Sequence, residues 1–453
     1  MTEATHQPPW PSRFWREAFI QCSNPECRQT YPLDAKLFAC RYCGDLVAVE
    51  YSPETLPPTY FISLWRARRF SDDPLDQSGV WRFRELMPPL KRSDIVTLRE
   101  GNTPLYRARY AADYAGVADL TLKHLGLNPT GSFKDYGMTV ALSHAKALGA
   151  HIVICASTGN TSASVAAYAA RAGIKAVVLI PQGHVAMGKL AQALEFGAIT
   201  LQVKGASFDD VLRLVRQLAE LPEIYLLNSL NPFRIEGQKA ILIELLDQRQ
   251  WEIPDHIVLP GGNLGNAAAL GRALEELRHL GLISRYPRVT IVQAAGASPL
   301  YQTILSGSPT ICPVSAPRTR ATAIRIGHPV NWKRALRVIE TTGGFCEVVD
   351  DTEIADAKAA IGRDGIGCEP ASAATLAGIR KLRRQGKISP DESIVALLTG
   401  HPLKDVEYTV AYHTRTLTDE LTGQLVVGRL VNSPREVDAR LDAIRRVLYD
   451  EDS

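Results

Sequence analysis

The sequence predicts an α/β protein in which parallel-rich sheets are covered by helices. From about residue 95, turns and Ala/Leu-rich helical patterns alternate with short β-branched runs, namely HIVICAS, KAVVLIP, AITLQV, HIVLP, VTIVQA and SIVALL. Such alternation is typical of parallel sheets with helices on their faces. Ligands of these sheets collect beyond the carboxyl ends of the strands, so the functional site is expected there.

The composition fits a soluble protein of more than one domain. The chain has 453 residues, of which 45% are hydrophobic and 22% are charged, and this length exceeds one ordinary core. Its 51 basic and 48 acidic residues give a formal charge of +3, which offers no broad field for nucleic acid or anionic membranes. The start, MTEATHQPPWPSRFW, lacks the features of a secretory leader, and no run of the sequence is apolar enough to span a membrane. We therefore expect a cytoplasmic protein with a small-molecule partner.

Four of the eight cysteines lie close together near the start of the chain. Cys22 and Cys27 form one pair, and Cys40 and Cys43 form a second pair after a stretch of hairpin length. Four thiolates so arranged can close a tetrahedral zinc site and stabilise a module that is too small for its own core. Free buried cysteines are the alternative. The pattern favours a zinc-ribbon-like module.

A glycine-rich loop follows one of the predicted strands. The segment HIVLPGGNLGNAAALGRALEELR reads as strand, loop and helix, and free backbone amides at a helix N-terminus favour a phosphate. A tight turn without a ligand is the alternative. Ala267 argues against a Walker-type nucleotide loop, and Gln293 at the end of the next strand argues against a dinucleotide. A compact phosphate ester on a cofactor is therefore expected at Gly261, Gly262, Asn263, Leu264, Gly265 and Asn266.

A second loop has the same plan but different chemistry. In HIVICASTGNTSASVAAYAARAG, hydroxyls and an amide crowd onto a helix N-terminus, which suits a carboxylate or a phenolate. Any one of these side chains could be only a helix cap, but five within six positions exceed what capping requires. They are Ser157, Thr158, Asn160, Thr161 and Ser162.

The stretch NPTGSFKDYG places Lys134 directly after a phenylalanine and a Pro-Thr-Gly-Ser turn. Either Lys134 is a solvated residue near a helix start, or it lies in a pocket as a neutral amine. Burial and a positive helix end both disfavour the ammonium form. A lysine, a phosphate loop and a carboxylate loop are the parts needed to hold pyridoxal phosphate and present it to an amino acid. Lys123, Lys146 and Lys404 have no comparable setting, and we interpret them as surface residues.

Five motifs together resemble the threonine synthase family, a fold-type II family of pyridoxal phosphate enzymes with a two-domain, tryptophan synthase β-like fold. They occur in the family's order between about residues 95 and 407, and they read NPTGSFKD, ASTGNTSAS, NSLNPFRIEGQK, PGGNLGN and LLTGHPLKD. The resemblance implies that Lys134 holds the cofactor as an imine and then carries protons. It also implies that Asn160 donates to the phenolic oxygen, and that Thr399 faces the pyridine nitrogen. The cofactor's phosphate would be held by Gly262, Asn263, Leu264, Gly265 and Asn266.

The substrate that the resemblance implies is O-phospho-L-homoserine. Arg234 is the candidate for its phosphate, because a guanidinium binds phosphate with fork geometry. An arginine in a loop is otherwise more often solvated. Tyr136 and Pro402 depart from the family's motifs, where arginine and glycine are common. The neutral donors predicted for the substrate are Ser157, Thr158, Thr161, Asn228 and Ser229.

The implied reaction is a β,γ-replacement in which phosphate leaves the γ-carbon and water adds at the β-carbon, giving L-threonine. Lys134 would remove protons first from the α-carbon and then from the β-carbon. A β-eliminating dehydratase or a cysteine-synthase-like enzyme is the second interpretation, and it would have no use for Arg234. The third is a zinc-ribbon protein that only binds a ligand or partner, and the retained Lys134 and Thr399 argue against it.

The predicted organisation has four parts, and a homodimer is the expected assembly. The catalytic region would consist of a large domain, about 95–145 and 236–410, and a small domain, about 146–235. The other parts are a zinc-ribbon-like module at 1–50, a linker or arm at 51–94 and an extension at 411–453 that ends in one amphipathic helix.

Overall fold

A computed structural model describes residues 15–53, 56–182 and 187–449. The first residues of the predicted N-terminal module and the last of the C-terminal extension lie outside the described residues. The described strands are β1 (Trp15–Cys22), β2 (Thr30–Pro32), β3 (Val47–Pro53), β4 (Leu105–Arg107), β5 (Asp119–His124), β6 (Ile152–Ala156), β7 (Lys175–Pro181), β8 (Ile199–Val203), β9 (Ile224–Leu226), β10 (His256–Pro260), β11 (Arg288–Ala294), β12 (Cys346–Val349) and β13 (Ser393–Leu398).

The helices separate the strands in most of the chain, as expected for parallel sheets. Within the described ranges, no helix is long and apolar enough to cross a membrane. The α-helices are α1 (Pro58–Arg68), α2 (Tyr110–Ala115), α3 (Lys134–Ala147), α4 (Asn160–Ala172), α5 (Met187–Glu195), α6 (Phe208–Leu218), α7 (Pro232–Gln238), α8 (Ala240–Gln248), α9 (Gly265–His279), α10 (Pro299–Ser306), α11 (Trp332–Thr342), α12 (Asp351–Gly362), α13 (Pro370–Arg384), α14 (Val406–His413) and α15 (Leu441–Tyr449).

The largest sheet has the strand order β12-β11-β10-β13-β5-β4. Every neighbouring pair is parallel except the edge pair of β4 and β5. All five residues of β10 are buried, because helices cover both faces of a parallel sheet. The prediction of a parallel-rich sheet covered by helices is confirmed.

A second sheet has the order β8-β7-β6-β9, and all its pairs are parallel. Its strands fall within the range 146–235 that we predict for the small domain. The six β-branched runs predicted as strands are strands in the structure, namely β6, β7, β8, β10, β11 and β13. The predicted amphipathic helix of the extension is also present as α15.

The third sheet, β2-β1-β3, is antiparallel and belongs to the cysteine-containing module. It packs on α7, α9 and α11 of the catalytic region. Arg272 of α9 donates to the Glu50 carboxylate at 2.8 Å, and Arg334 of α11 donates to the Val47 carbonyl at 2.9 Å. Guanidinium groups thus join the module to the helices beneath it.

The range 51–94, predicted as a linker or arm, contributes to the core, and residues 80–88 are all buried. Trp65, Trp81 and Phe83 are fully buried in the main hydrophobic cluster. The Trp65 indole nitrogen donates to Glu85 at 2.9 Å, which satisfies the polar end of a buried aromatic side chain. This range therefore contributes substantial apolar area to the fold.

The interpretation of Lys123 and Lys404 as surface residues is wrong. Lys123 is fully buried in β5, where it forms an ion pair with Glu244 and donates to the Thr103 carbonyl at 2.6 Å. Lys404 is buried beside the main cavity and donates to Gln192. Their buried acceptors lie far away in sequence, so no local pattern indicates them.

Candidate active site

A cavity of about 1540 Å³ lies at the carboxyl ends of β6, β10 and β13. This is the edge where ligands of parallel sheets bind. Of the residues predicted for the two loops, Gly261 and Ser162 do not line this cavity. The other predicted cofactor and substrate residues do, and the structure brings them together from six separate stretches: Lys134; Ser157, Thr158, Asn160 and Thr161; Asn228 and Ser229; Arg234; Gly262, Asn263, Leu264, Gly265 and Asn266; and Thr399.

The backbone holds Lys134 next to the end of β13. Lys134 is the first residue of α3, and the amide of the preceding Phe133 donates to the Thr399 carbonyl at 2.9 Å. Lys134 Nζ lies 4.0 Å from the centre of the Phe133 ring. The amine therefore lies against the Phe133 ring, and the backbone next to it is held at Thr399.

The surroundings of Lys134 favour its neutral form. Burial lowers the pKa of Lys134 from 10.5 to about 7, and the charge of Arg234 lowers it further, while Glu369 opposes the shift. Taking an ammonium out of water costs free energy, and a neighbouring cation adds to that cost. A large fraction of this amine is consequently unprotonated at neutral pH.

Glu369 links two of the predicted cofactor contacts. Asn160 Nδ2 donates to one carboxylate oxygen of Glu369 at 2.9 Å, and Thr399 Oγ1 donates to the other at 3.2 Å. A carboxylate can only accept, so it fixes the amide of Asn160 with its nitrogen towards Glu369. Asn160 Oδ1 is left buried without a hydrogen-bond partner among the described residues.

The glycine loop closes around the N-terminus of α9. Leu264 adopts a left-handed backbone with φ of 62°, which turns the chain into the helix. A Cβ atom at Gly262 would lie 2.9 Å from the Ala323 carbonyl oxygen, so a larger residue does not fit there. The loop thus presents backbone amides and a helix N-terminus to the cavity, which suits a phosphate.

Arg234, which we predict to bind the substrate, is a buried cation that lines the cavity. Only 2% of its surface is exposed, and it donates to the Leu227 carbonyl at 2.9 Å. Its second terminal nitrogen lies 3.5 Å from Thr161 Oγ1. Arg234 forms no ion pair with any residue of the described ranges, and its Nε has no hydrogen-bond partner there. Burial lowers the pKa of Arg234 to about 10, which keeps it charged at neutral pH.

Three of the predicted amide and hydroxyl donors also hold the loops together. Asn228 bonds both backbone groups of Ala156 at 3.0 Å. Asn263 Nδ2 donates to Ser229 Oγ at 3.2 Å, and its oxygen accepts from the amide of Val330 at 3.0 Å. These bonds fix the walls of the cavity before any ligand enters.

Besides Lys404, sequence reasoning missed two buried charged residues of this cavity, Glu369 and Lys189. Glu369 lies just before Pro370 at the start of α13, a position that reads as an ordinary helix start. Lys189 of α5 is buried and donates to Thr322 Oγ1 at 3.0 Å and to Asp405 at 3.1 Å. The only sequence signal was a charged residue next to a helix N-terminus, and such residues are common.

The four N-terminal cysteines form one cluster. Their sulfurs all lie within 4.8 Å of one another, with Cys22 and Cys43 at 3.4 Å and Cys27 and Cys40 at 3.7 Å. Zinc–sulfur bonds of about 2.3 Å in a tetrahedron place the sulfurs about 3.8 Å apart. The cluster therefore has the composition and size of a four-thiolate metal site.

The model of the family described as "Pyridoxal-phosphate dependent enzyme" matches residues 96–400. The chain is 46% identical over 386 residues to a threonine synthase of Methanocaldococcus jannaschii, covering 85% of this chain and 93% of that protein. It is 44% identical to a threonine synthase of Methanosarcina acetivorans, covering 94% and 97%. The chain belongs to the threonine synthase family of pyridoxal-phosphate dependent enzymes. This assignment confirms the resemblance seen in its motifs.

Solved structures agree on the fold. A fungal L-serine ammonia-lyase from Rhizomucor miehei aligns with a TM-score of 0.60 at 19% identity, covering 70% of this chain and 99% of the other. Threonine deaminase isoform 2 from Solanum lycopersicum aligns with a TM-score of 0.59 at 20% identity, covering 71% and 84%. The chain has the fold-type II architecture.

The cavity fits pyridoxal phosphate. Several buried polar atoms lack a hydrogen-bond partner among the described residues, and three of them, Asn160 Oδ1, Arg234 Nε and Gln238 Oε1, belong to residues that line the cavity. Buried polar groups are normally satisfied, so such atoms indicate a polar ligand. The cradle at Gly262 and the neutral amine of Lys134 supply complementary groups for a phosphate and an aldehyde.

The two departures from the family's motifs do not line this cavity. Tyr136 is fully buried, and its hydroxyl donates to Glu244 at 3.0 Å, in the same network as Lys123. Pro402 packs against Gly367 and lines a second cavity. Neither residue is placed to contact the substrate directly.

Glu369→Gln is expected to weaken pyridoxal phosphate binding roughly ten- to hundredfold, the typical loss for a hydrogen bond to a charged group. The new amide cannot accept from both Asn160 and Thr399 through two oxygens, so one of the two side chains turns away. Titration of the cofactor into apo-protein, followed by absorbance, measures the change. Glu347→Gln is the matched control, because Glu347 is also buried but lies in β12 outside the cavity. Equal affinity in the two variants would contradict the role of Glu369.

Proposed function

We propose that the chain converts O-phospho-L-homoserine and water to L-threonine and phosphate. The relatives that match it over most of their length are named threonine synthase. The observation that carries the proposal is Arg234, a buried cation without an ion-pair partner in the described structure, which lines the same cavity as Lys134. A phosphate on the substrate gives that guanidinium the anion it lacks.

Bound pyridoxal phosphate supplies an electron sink for negative charge at the carbon next to the substrate's amino group. Lys134 would hold the cofactor. Once displaced by substrate, its amine would take a proton from the α-carbon, return that proton to the cofactor-bound substrate, and then take a second proton from the β-carbon as phosphate leaves the γ-carbon. Its pKa of about 7 suits both accepting and returning protons near neutral pH. Asn160, Thr399 and the loop from Gly262 to Asn266 orient the cofactor.

Other residues of the same cavity orient the substrate. Arg234 binds its phosphate, with Thr161, Asn228 and Ser229 as neutral donors. The hydroxyls of Ser157 and Thr158 bind the carboxylate near the N-terminus of α4, where the helix dipole favours an anion. Binding at both ends places the α- and β-carbons beside Lys134, and holding the reacting groups in place lowers the barrier.

A dehydratase or cysteine-synthase-like activity would leave Arg234 without a function. The decisive assay is phosphate release from O-phosphohomoserine, coupled to identification of threonine as the product. Release of phosphate without threonine, or turnover of unphosphorylated serine at a comparable rate, would contradict the proposal. The domain boundaries and the homodimer expected from the sequence stay predictions.

We also propose that the cysteine cluster binds one structural zinc ion. Cys22, Cys27, Cys40 and Cys43 would fill all four positions of a tetrahedral site, and a closed site of this kind stabilises structure without an open position for a substrate. The module's sheet is small, so a metal would supply stability that its core cannot.

Covalent attachment of pyridoxal phosphate to the apo-protein is expected to become faster as the pH rises through about 7. Attachment needs the unprotonated amine of Lys134, whose folded-state pKa is lowered to about 7 from the ordinary 10.5. The amine is therefore mostly protonated below that pH and mostly free above it. Stopped-flow absorbance over the neutral range measures the rate. A rate that still climbs steeply towards the ordinary lysine pKa would contradict the assignment.

Lys134→Ala serves as the control for that experiment. It should form no adduct that borohydride can reduce, while its thermal unfolding stays close to that of the parent protein. Peptide mapping of the reduced parent protein should place the cofactor on Lys134. A label on any other lysine would refute the role given to this residue.

Arg234→Ala is expected to lower kcat/KM for O-phosphohomoserine by about 2 to 4 kcal/mol, or roughly thirty- to a thousandfold, because the phosphate loses a desolvated charged partner. Arg234→Lys should recover only part of the loss, since an ammonium lacks the fork. The cofactor absorbance should be unchanged. Arg216→Ala, an exposed arginine that also lines the cavity, is the control. Loss of cofactor together with activity would assign Arg234 to the cofactor site instead.

Cys40→Ser is expected to release the metal and to destabilise the N-terminal module more than it impairs catalysis. The closed thiolate site has no open position, so its metal has no chemical step to perform. Elemental analysis and limited proteolysis of the purified proteins measure the two effects. Cys312→Ser lies outside the cluster and should keep the metal. Wild-type protein that is metal-free without chelator treatment would count against the zinc site.

A further inference from the structure

A second cavity of about 640 Å³ lies on the other side of one wall of the active site. It is formed by α12, α14 and the chain around residues 430–432 of the C-terminal extension. Leu403, Val406 and Tyr408 line both cavities. The two spaces are therefore separated by a single segment of chain that follows Thr399.

The charged side chains of the second cavity are all basic. Lys358, Arg363 and His413 line it, and no aspartate or glutamate does. None of the three forms an ion pair with any residue in the described ranges. Lys358 Nζ donates to the hydroxyl of Thr409 at 2.7 Å, and Arg363 donates to the hydroxyl of Tyr110. Neutral hydroxyls do not neutralise these cations.

Lys358 and Arg363 both lie close enough to His413 to affect it. The pKa of His413 is lowered by burial and by the charges of Lys358 and Arg363. Burial also lowers the pKa of Lys358, while Cys368 and the carboxylate of Asp405 oppose that shift. Asp405 does not line this cavity, so the lysine and the arginine give the lining a positive field that an anion would relieve.

The rest of the lining is mostly apolar. Ala355 and Ala359 of α12 line the cavity together with Leu430 and Val431 of the extension. Only 7% of the surface of Tyr408 is exposed. Its hydroxyl has no hydrogen-bond partner among the described residues. An apolar space with a few polar groups and a local charge is the usual composition of a small-molecule site, and its volume falls in the usual range.

We propose that this cavity binds a small organic carboxylate with an apolar body, at a site separate from the active site. Lys358 and Arg363 would take the carboxylate, and the aliphatic walls would take the body. An occupant would contact the same segment that carries Asp405, the ion-pair partner of Lys189 in the active-site cavity. The site does not depend on the substrate assigned to the active site.

Binding of pyrenebutyrate to the full-length holoenzyme, followed by its fluorescence, tests the proposal. Pyrenebutanol is the matched neutral probe, because it keeps the apolar body and lacks the charge. We expect the carboxylate to bind at least about tenfold more tightly than the alcohol. Lys358→Met should reduce carboxylate binding about tenfold and leave alcohol binding unchanged, while Lys358→Arg should retain both.

Two control variants separate this site from other surfaces. Lys387→Met removes an exposed lysine outside the cavity and should bind the carboxylate like the parent protein. Arg234→Ala removes the cation of the active site and should also bind it normally. Equal binding of the two probes would overturn the proposal. Loss of binding in Arg234→Ala with retention in Lys358→Met would overturn it as well, because the probe would then occupy the active site.

Discussion

The active site depends on the backbone pairing between the loop before α3 and the chain that follows β13. The amide of Phe133 donates to the Thr399 carbonyl, the amide of His401 donates to the Gly131 carbonyl, both at 2.9 Å, and Ser132 pairs with Gly400. A Cβ atom at Gly400 would lie 2.2 Å from the Glu369 side chain, so only glycine allows this approach. These buried backbone hydrogen bonds fix the position of the Lys134 backbone, from which the flexible side chain extends.

The same cavity brings together buried charges that the protein alone only partly compensates. Lys134 and Arg234 are near enough for Arg234 to lower the pKa of the amine, and Glu369 is the acid that opposes that shift. Buried charges are costly unless they are paired. The phosphate of the cofactor and the phosphate and carboxylate of the proposed substrate would remove much of this cost.

Local sequence patterns predict most of the fold and those parts of the site that lie on loops. A β-branched run followed by glycine or hydroxyl residues predicts both the end of a strand and the start of the next helix. Such a prediction is possible because strands and turns are determined largely by residues that are close together in the sequence. Glu369 and Lys123 could not be predicted in this way. Their partners Asn160 and Glu244 are 209 and 121 residues away in the chain. Charges that pair only in the tertiary structure give no signal in the local sequence.

The packing of the cysteine module connects it to the helix that carries Arg234. Glu236 and Arg234 belong to the same short helix, α7, and Tyr51 of the module donates to Glu236. Glu236 is also paired with Lys239 at 2.6 Å, and Lys239 reaches Glu276 of α9 at 2.8 Å. Neither of these ion pairs includes a residue of the module, so they remain if the module unfolds. Loss of the module removes one buried hydrogen bond from the helix that positions Arg234, a modest cost of about 1 to 3 kcal/mol, and leaves Lys134 and Glu369 untouched.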